Sequence, residues 1–144
     1  MKKNFLTLAI VSSLALSVQA RDRYERTDAS LPQAAKELLK NFKAKVSLVK
    51  IDKSLGFIDD FEVTLTDGTE VTFDAKGNLD SVDVPASKAV PARIVPEKIT
   101  SYVKSNYKNA KIVTLDKETY GYDVELNNGI EIKFDKKGNF KRFD

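Results

Sequence analysis

Nearly all the side chains here that can do chemistry are carboxylates. Histidine and cysteine are absent, which removes the usual proton shuttle, the thiol nucleophile and His/Cys zinc sites. What remains is 21 acidic residues among 24 basic ones, and three acidic groupings stand out. Glu125 and Glu131 flank a turn at a spacing that sets them directly across an antiparallel ladder, with Asp123 nearby, and Glu62 and Glu70 lie around the equivalent turn earlier in the chain, each opposite a threonine. Asp59 and Asp60 are adjacent, and Asp52 approaches them across a hairpin, giving the hard oxygen donors that calcium takes. Paired carboxylates work as acid and base only where a desolvated cleft separates their pKa values. A flat sheet face has no such cleft, so no enzyme is expected. Facing carboxylates repel each other. Either they attract a cation or a basic side chain of a partner, or Lys133, Lys141 and water screen them on a solvated face.

The elements that position these groups are written twice. Leu31-Pro32 matches Val95-Pro96, Ile51-Asp52-Lys53 matches Leu115-Asp116-Lys117, and Phe73-Asp74-Ala75-Lys76-Gly77-Asn78 matches Phe134-Asp135-Lys136-Lys137-Gly138-Asn139. In each copy a helical stripe comes first. Leu31, Ala34, Ala35, Leu38, Leu39 and Phe42 recur at three- and four-residue spacing on a helix ending near Lys43, opened by a Ser30/Gln33 capping box. Val95, Ile99, Tyr102, Val103 and Tyr107 repeat the design behind Pro96.

The period then falls to two, the mark of strands. Phe61, Val63 and Leu65 alternate with polar residues, as do Val71 and Phe73, then Tyr122, Val124 and Leu126, then Ile130, Ile132 and Phe134. Keeping apolar residues on one face fixes three-residue turns, with Gly68 and Gly129 at positive φ. Glu62 then faces Thr72, Thr64 faces Glu70, Asp123 faces Lys133, and Glu125 faces Glu131. Asp74 to Gly77 and Asp135 to Gly138 make the next turns. Asp at the first position and Gly at the fourth are turn chemistry, and the enclosed lysines oppose cation binding. Strict pairing turns Val82 and Phe143 to the polar face, whereas a bulge returns them to the core.

The fold class is therefore α+β. A tandem duplicated helix-plus-four-strand unit forms an eight-stranded antiparallel sheet with two helices on one face, leaving the other face open. Residues 30–144 make one duplicated domain, with repeat one at 30–84, a linker at 85–93 and repeat two at 94–144. Residues 21–29 read as a flexible lead. The units differ at the first hairpin, where repeat one carries three extra residues in Ser54-Leu55-Gly56-Phe57-Ile58 against Glu118-Thr119-Tyr120-Gly121. Leu55, Phe57 and Ile58 at a tip either form a knob for a partner or fold back on the sheet or extend the strands.

Ahead of the repeats lies an address. Lys2-Lys3, an apolar run from Phe5 to Leu16, and Val18-Gln19-Ala20 compose a secretory signal over residues 1–20, cleaved after Ala20. A dozen apolar residues are short for a bilayer span, where about 20 are usual, so no integral membrane segment is expected after cleavage. The net charge of +3 includes Lys2 and Lys3, so the mature chain sits near +1. Acids and lysines alternate along it, which excludes a nucleic-acid footprint.

The duplicated unit, the two Phe-Asp-x-Lys-Gly-Asn segments and the signal resemble the PepSY-like family, small periplasmic proteins related in fold to secreted β-lactamase inhibitor proteins. The resemblance implies a periplasmic or secreted module whose open concave sheet grips a protein. In those inhibitors each repeat is pinned by disulfides, which a chain without cysteine lacks, and no inhibitor contact residue carries over. The expected function is an exported, non-enzymatic binding or inhibitor-like module for an envelope protein or peptide. Its contacts would be Leu55, Phe57, Ile58, Glu62, Glu70, Glu125 and Glu131. The alternative is a calcium- or small-ligand-binding periplasmic protein using Asp52, Asp59 and Asp60. No other cofactor is expected.

Overall fold

A computed structural model describes residues 22–144; the expected signal peptide lies outside the described residues. Nine strands run as one antiparallel meander, each paired with its neighbours in sequence. They are β1 (Arg23–Glu25), β2 (Val46–Ser54), β3 (Phe57–Leu65), β4 (Glu70–Asp74), β5 (Leu79–Asp83), β6 (Ile112–Glu118), β7 (Gly121–Leu126), β8 (Glu131–Asp135) and β9 (Phe140–Phe143). Helix α1 (Gln33–Leu39) precedes β2, and α2 (Glu97–Asn106) precedes β6 behind a short 3₁₀ turn at Ala92–Ile94.

Period-two alternation sends Val49, Ile51, Phe61, Val63, Val71, Phe73, Val82, Leu115, Val124, Ile132 and Phe134 to one side. They join Leu31, Ala35, Leu39, Ile99 and Val103 in a single core. Both helices therefore cover the same face. Pairing of β5 with β6 (Val82 opposite Leu115) carries the sheet across the unit boundary. The linker adds Val84 and Val90 to the core, with their amides donating to Val113 and Ile112 at 2.9 and 2.8 Å.

The turns follow the expected register. The amides of Leu65 and Leu126 donate to the carbonyls of Thr69 and Ile130 at 2.8 and 2.9 Å, and Gly68 and Gly129 have φ of 90° and 85°. In the later turn Asp74 Oδ1 accepts from the amides of Lys76 and Asn78, both at 2.9 Å. Asp135 repeats this with Lys137 and Asn139. These carboxylates are spent on their own turns.

Four expectations are corrected. The lead at 21–29 is not wholly irregular: it contains β1, which makes nine strands rather than eight. Ser30 does not cap α1, because its hydroxyl donates to Glu25 Oε1 at 2.8 Å and accepts from Arg23 at 3.0 Å, and Pro32 stands at the cap position. The α-helix stops at Leu39, beyond which Asn41 and Phe42 close tighter three-residue turns, and Ala34 points outward. The match of Ile51-Asp52-Lys53 to Leu115-Asp116-Lys117 also fails in three dimensions. Glu62 and Asp123 occupy equivalent places opposite Thr72 and Lys133, and their other neighbours are Lys50 and Asp116. Asp116 thus stands where repeat one has Lys50, two residues away from the sequence match.

Bulges settle Val82 and Phe143. Each interrupts its pairing, between Thr72 and Phe73 and between Lys133 and Phe134, which sets Val82 opposite Val71 and Phe143 opposite Ile132 on the helix side. Val82 is fully buried because β6 covers it. Phe143, on the last strand, stays half-exposed and packs on Phe140, which stacks on Tyr102.

Candidate functional site

The face without helices is crossed by rows of side chains running perpendicular to the strands. The middle row reads Tyr24, Lys50, Glu62, Thr72, Ser81, Asp116, Asp123, Lys133 and Arg142. The row on one flank contains Thr64, Glu70, Asp83, Thr114, Glu125 and Glu131. On the other flank Asp52, Asp60 and Asp74 stand side by side. Five pairs are acid directly opposite acid: Asp52/Asp60, Asp60/Asp74, Glu70/Asp83, Asp116/Asp123 and Glu125/Glu131. Such pairs destabilise a ladder, so folding alone does not call for them.

Repeat one neutralises much of its charge internally. Lys50 Nζ lies 2.8 Å from Asp52, 3.3 Å from Glu62 and 3.8 Å from Asp22. Its ammonium is correspondingly held in the protonated form, first through Asp52, and Asp52 in turn is pulled below the ordinary carboxylate range by Lys50. Asp60 behaves oppositely. Its Oδ1 is buried and accepts no hydrogen bond, and burial, followed by the neighbouring Asp52, pushes its pKa up from 3.8 to about 6. Asp52, Asp60 and Glu62 each offer a carboxylate oxygen within 4.8 Å of the others. Asp59, expected as a third donor, instead accepts from Ser54 at 2.9 Å. The oxygen cluster thus has Glu62 in its place.

Repeat two is arranged differently. Lys133 pairs with Asp123 at 2.9 Å and Asp144 at 3.2 Å, and donates to the Tyr120 hydroxyl at 3.2 Å. Tyr120 donates to Asp123, which raises the phenol's pKa. The short hairpin tip therefore folds onto the open face. Beside this network lies a depression of about 130 Å³ that includes Thr114, Asp116, Glu125, Glu131 and Lys133 in its lining. Asp116 is half-buried there without a basic partner among the described residues. Burial raises its pKa first, then the negative charges of Asp123, Glu118, Asp83 and Glu125.

The partner-contact residues named from sequence do not form one patch. Glu62 and Glu70 lie on β3 and β4, while Glu125 and Glu131 are four strands further on, roughly 19 Å away at the usual strand spacing. Leu55, Phe57 and Ile58 crown the β2–β3 hairpin, which extends into solvent instead of folding back; Leu55 is 92% exposed and Phe57 76%. That hairpin runs 13 residues from Lys50 to Glu62, against 8 from Asp116 to Asp123, so it exceeds its counterpart by five residues and not three. Lys50, Asp83, Asp116 and Tyr120 were missed as parts of this face. Requiring each hairpin to be symmetric about its turn would have exposed the two-residue mismatch that hid Asp116.

A duplicated α+β module with both helices on one side of a single antiparallel sheet defines the architectural class of this chain. A family model described as "Putative beta-lactamase-inhibitor-like, PepSY-like" matches residues 19–81 and again 59–142. The chain belongs to this PepSY-like family. Among solved structures it resembles a "putative periplasmic protein of unknown function" from Bacteroides vulgatus, at 35% identity and TM-score 0.78, over 86% of this chain and 99% of that one. It also resembles a "putative calcium-regulated periplasmic protein" from Bacteroides thetaiotaomicron, at 34% identity and TM-score 0.76, over 85% of this chain and 96% of that one. A second Bacteroides vulgatus periplasmic protein matches at 33% identity and TM-score 0.75, over 85% and 96%. No curated protein matches it significantly. With these relatives the chain is placed in the periplasm. Among the described residues, no helix is long and apolar enough to cross a membrane.

Proposed function

We propose that this protein is a non-enzymatic, inhibitor-like binding module that holds a periplasmic protein or peptide against its bare sheet face and the Leu55–Ile58 tip. The observation that carries this reading is a nine-stranded sheet whose helices, among the described residues, lie on one side only, and whose other side sets five acid pairs face to face. The tip supports it, because an apolar Leu at a solvent-exposed turn adds nothing to the core. Immobilised protein should capture a partner from an envelope extract and lose it when Leu55 and Phe57 are both replaced by Ser. A partner retained in full by the double variant argues against the tip, and failure to capture any argues against the module.

The carboxylate cluster favours a second reading, in which calcium binds at Asp52, Asp60 and Glu62. Three such groups would supply part of the six to eight oxygens that calcium takes, and Lys50 would have to swing aside. A ligand selective for the folded state raises its stability, so the melting temperature should rise with millimolar calcium and return with EDTA. An unchanged melting curve removes the calcium reading.

A further inference from the structure

We propose that the occupant of the bare face is an extended protein segment carrying lysine or arginine, and that one of its cationic side chains seats in the depression beside Asp116. The proposal rests on the binding-module reading and adds the chemistry of the partner.

The duplication provides an internal comparison. In repeat one the central position of the face is Lys50, a cation within 4 Å of three carboxylates. In repeat two the same position is Asp116, which replaces that cation with another negative charge, opposite Asp123 on β7. Repeat two carries its positive charges on other strands, at Lys133 and Arg142 where repeat one has Thr72 and Ser81, and leaves Asp116 without a basic partner among the described residues. The basic groups facing this region are Lys133, committed to Asp123 and Asp144, and Lys141, which lies over the Tyr120 ring at 5.2 Å. Arg142 stands beyond Lys133 on β9. The ion pairs of Lys133 go to Asp123 and Asp144, and none among the described residues joins these groups to Asp116, Glu125 or Glu131.

Charge complementarity thus selects a cationic occupant over an acidic or apolar one. Val124 and Ile132, which also line the depression, are core residues whose side chains point away to the helix side, so polar walls meet the ligand. The recess is small enough to take an ammonium or guanidinium head while the rest of the segment crosses the strands. Asp116 would bind that head as a charge-assisted hydrogen-bond acceptor, with Glu125 and Thr114 beside it.

The test is fluorescence anisotropy with a labelled peptide of alternating Lys and Ser, against a matched Glu/Ser peptide. The wild type should bind the first and not the second, and more weakly as salt rises. Asp116→Asn should weaken binding about 10-fold or more. Asp116→Lys, which copies repeat one, should abolish binding and melt at a higher temperature than the wild type, so lost binding is not lost folding. Glu37→Gln, on the helix side, should change neither. No affinity for the Lys/Ser peptide, or equal affinity in Asp116→Asn, overturns the proposal. An envelope partner held equally by wild type and Asp116→Lys overturns it while the binding-module reading stands, whereas absence of any partner fails both. Sedimentation separates a further occupant: if the wild type self-associates and Asp116→Lys disperses it, a second copy fills the face and the peptide proposal falls.

Discussion

Leu55 adopts a left-handed backbone conformation, with φ of 50°, next to Gly56 at 84°. For a leucine this costs roughly 1–2 kcal/mol, and Asn tolerates it far better in a two-residue hairpin turn. Leu55→Asn should therefore stabilise the protein by about 1 kcal/mol in a urea titration. A loss of stability would mean that the side chain supports the hairpin, and its use for a partner would lose its main argument. Asp60 gives a pH prediction. Its folded pKa of about 6 exceeds the ordinary 3.8, so the folded state binds its proton more tightly. The contribution favouring folding is complete below about pH 4, shrinks as pH rises, and is gone above about 6. Asp60→Asn should flatten stability between those limits and raise the melting temperature at pH 7. An unaltered profile would show that other groups govern it. The facing pair Glu125/Glu131 was legible in the sequence because alternation plus a three-residue turn leaves one register. The role of Asp116 was not, because a two-residue slip keeps every apolar residue on its correct face and raises no alarm.

The turns that join β4 to β5 and β8 to β9 tuck beneath the starts of the helices. A Cβ added at Gly77 would lie 2.7 Å from Pro32 Cβ and 3.1 Å from the Ala35 amide nitrogen, whereas one at Gly129 meets nothing within 4 Å. Both glycines have positive φ near 85–88°, so an alanine at either place pays a similar backbone penalty of roughly 1–2 kcal/mol. Gly77→Ala should lose about 1–3 kcal/mol more through overcrowding against α1. Equal losses in thermal or chemical denaturation would show that the turn moves freely away from the helix. Such turns were readable because Asp, Gly and Asn each have a fixed task in them. Strand β1 was not readable: three residues with no apolar period join the sheet through backbone pairing with Val49, Lys50 and Ile51. The early end of α1 was equally hidden, since Phe42 continues the apolar spacing while the chain tightens into turns.

At the scale of the whole molecule, two units of roughly 55–60 residues are each marginal as independent folds. Here they share one core and one uninterrupted sheet, with Val82 beside Leu115 and Val84 bonded to Val113. Separating them would expose Val82 and the edges of β5 and β6 together. The chain should therefore unfold in one transition, with equal calorimetric and van't Hoff enthalpies. Its tyrosines make the test sensitive, because Tyr102, Tyr107, Tyr120 and Tyr122 all belong to repeat two, repeat one has none, and Tyr24 lies ahead of it on β1. Ile51→Val removes one buried methyl group from repeat one and should cost about 0.5–1.5 kcal/mol. Both tyrosine fluorescence and far-ultraviolet circular dichroism should report the same lowered midpoint. A tyrosine transition that stays in place while the dichroism midpoint falls would show that the units melt separately. The bare face would then be two surfaces that move independently, and a segment spanning Lys50 to Asp116 would lose the rigid platform that makes the two positions comparable.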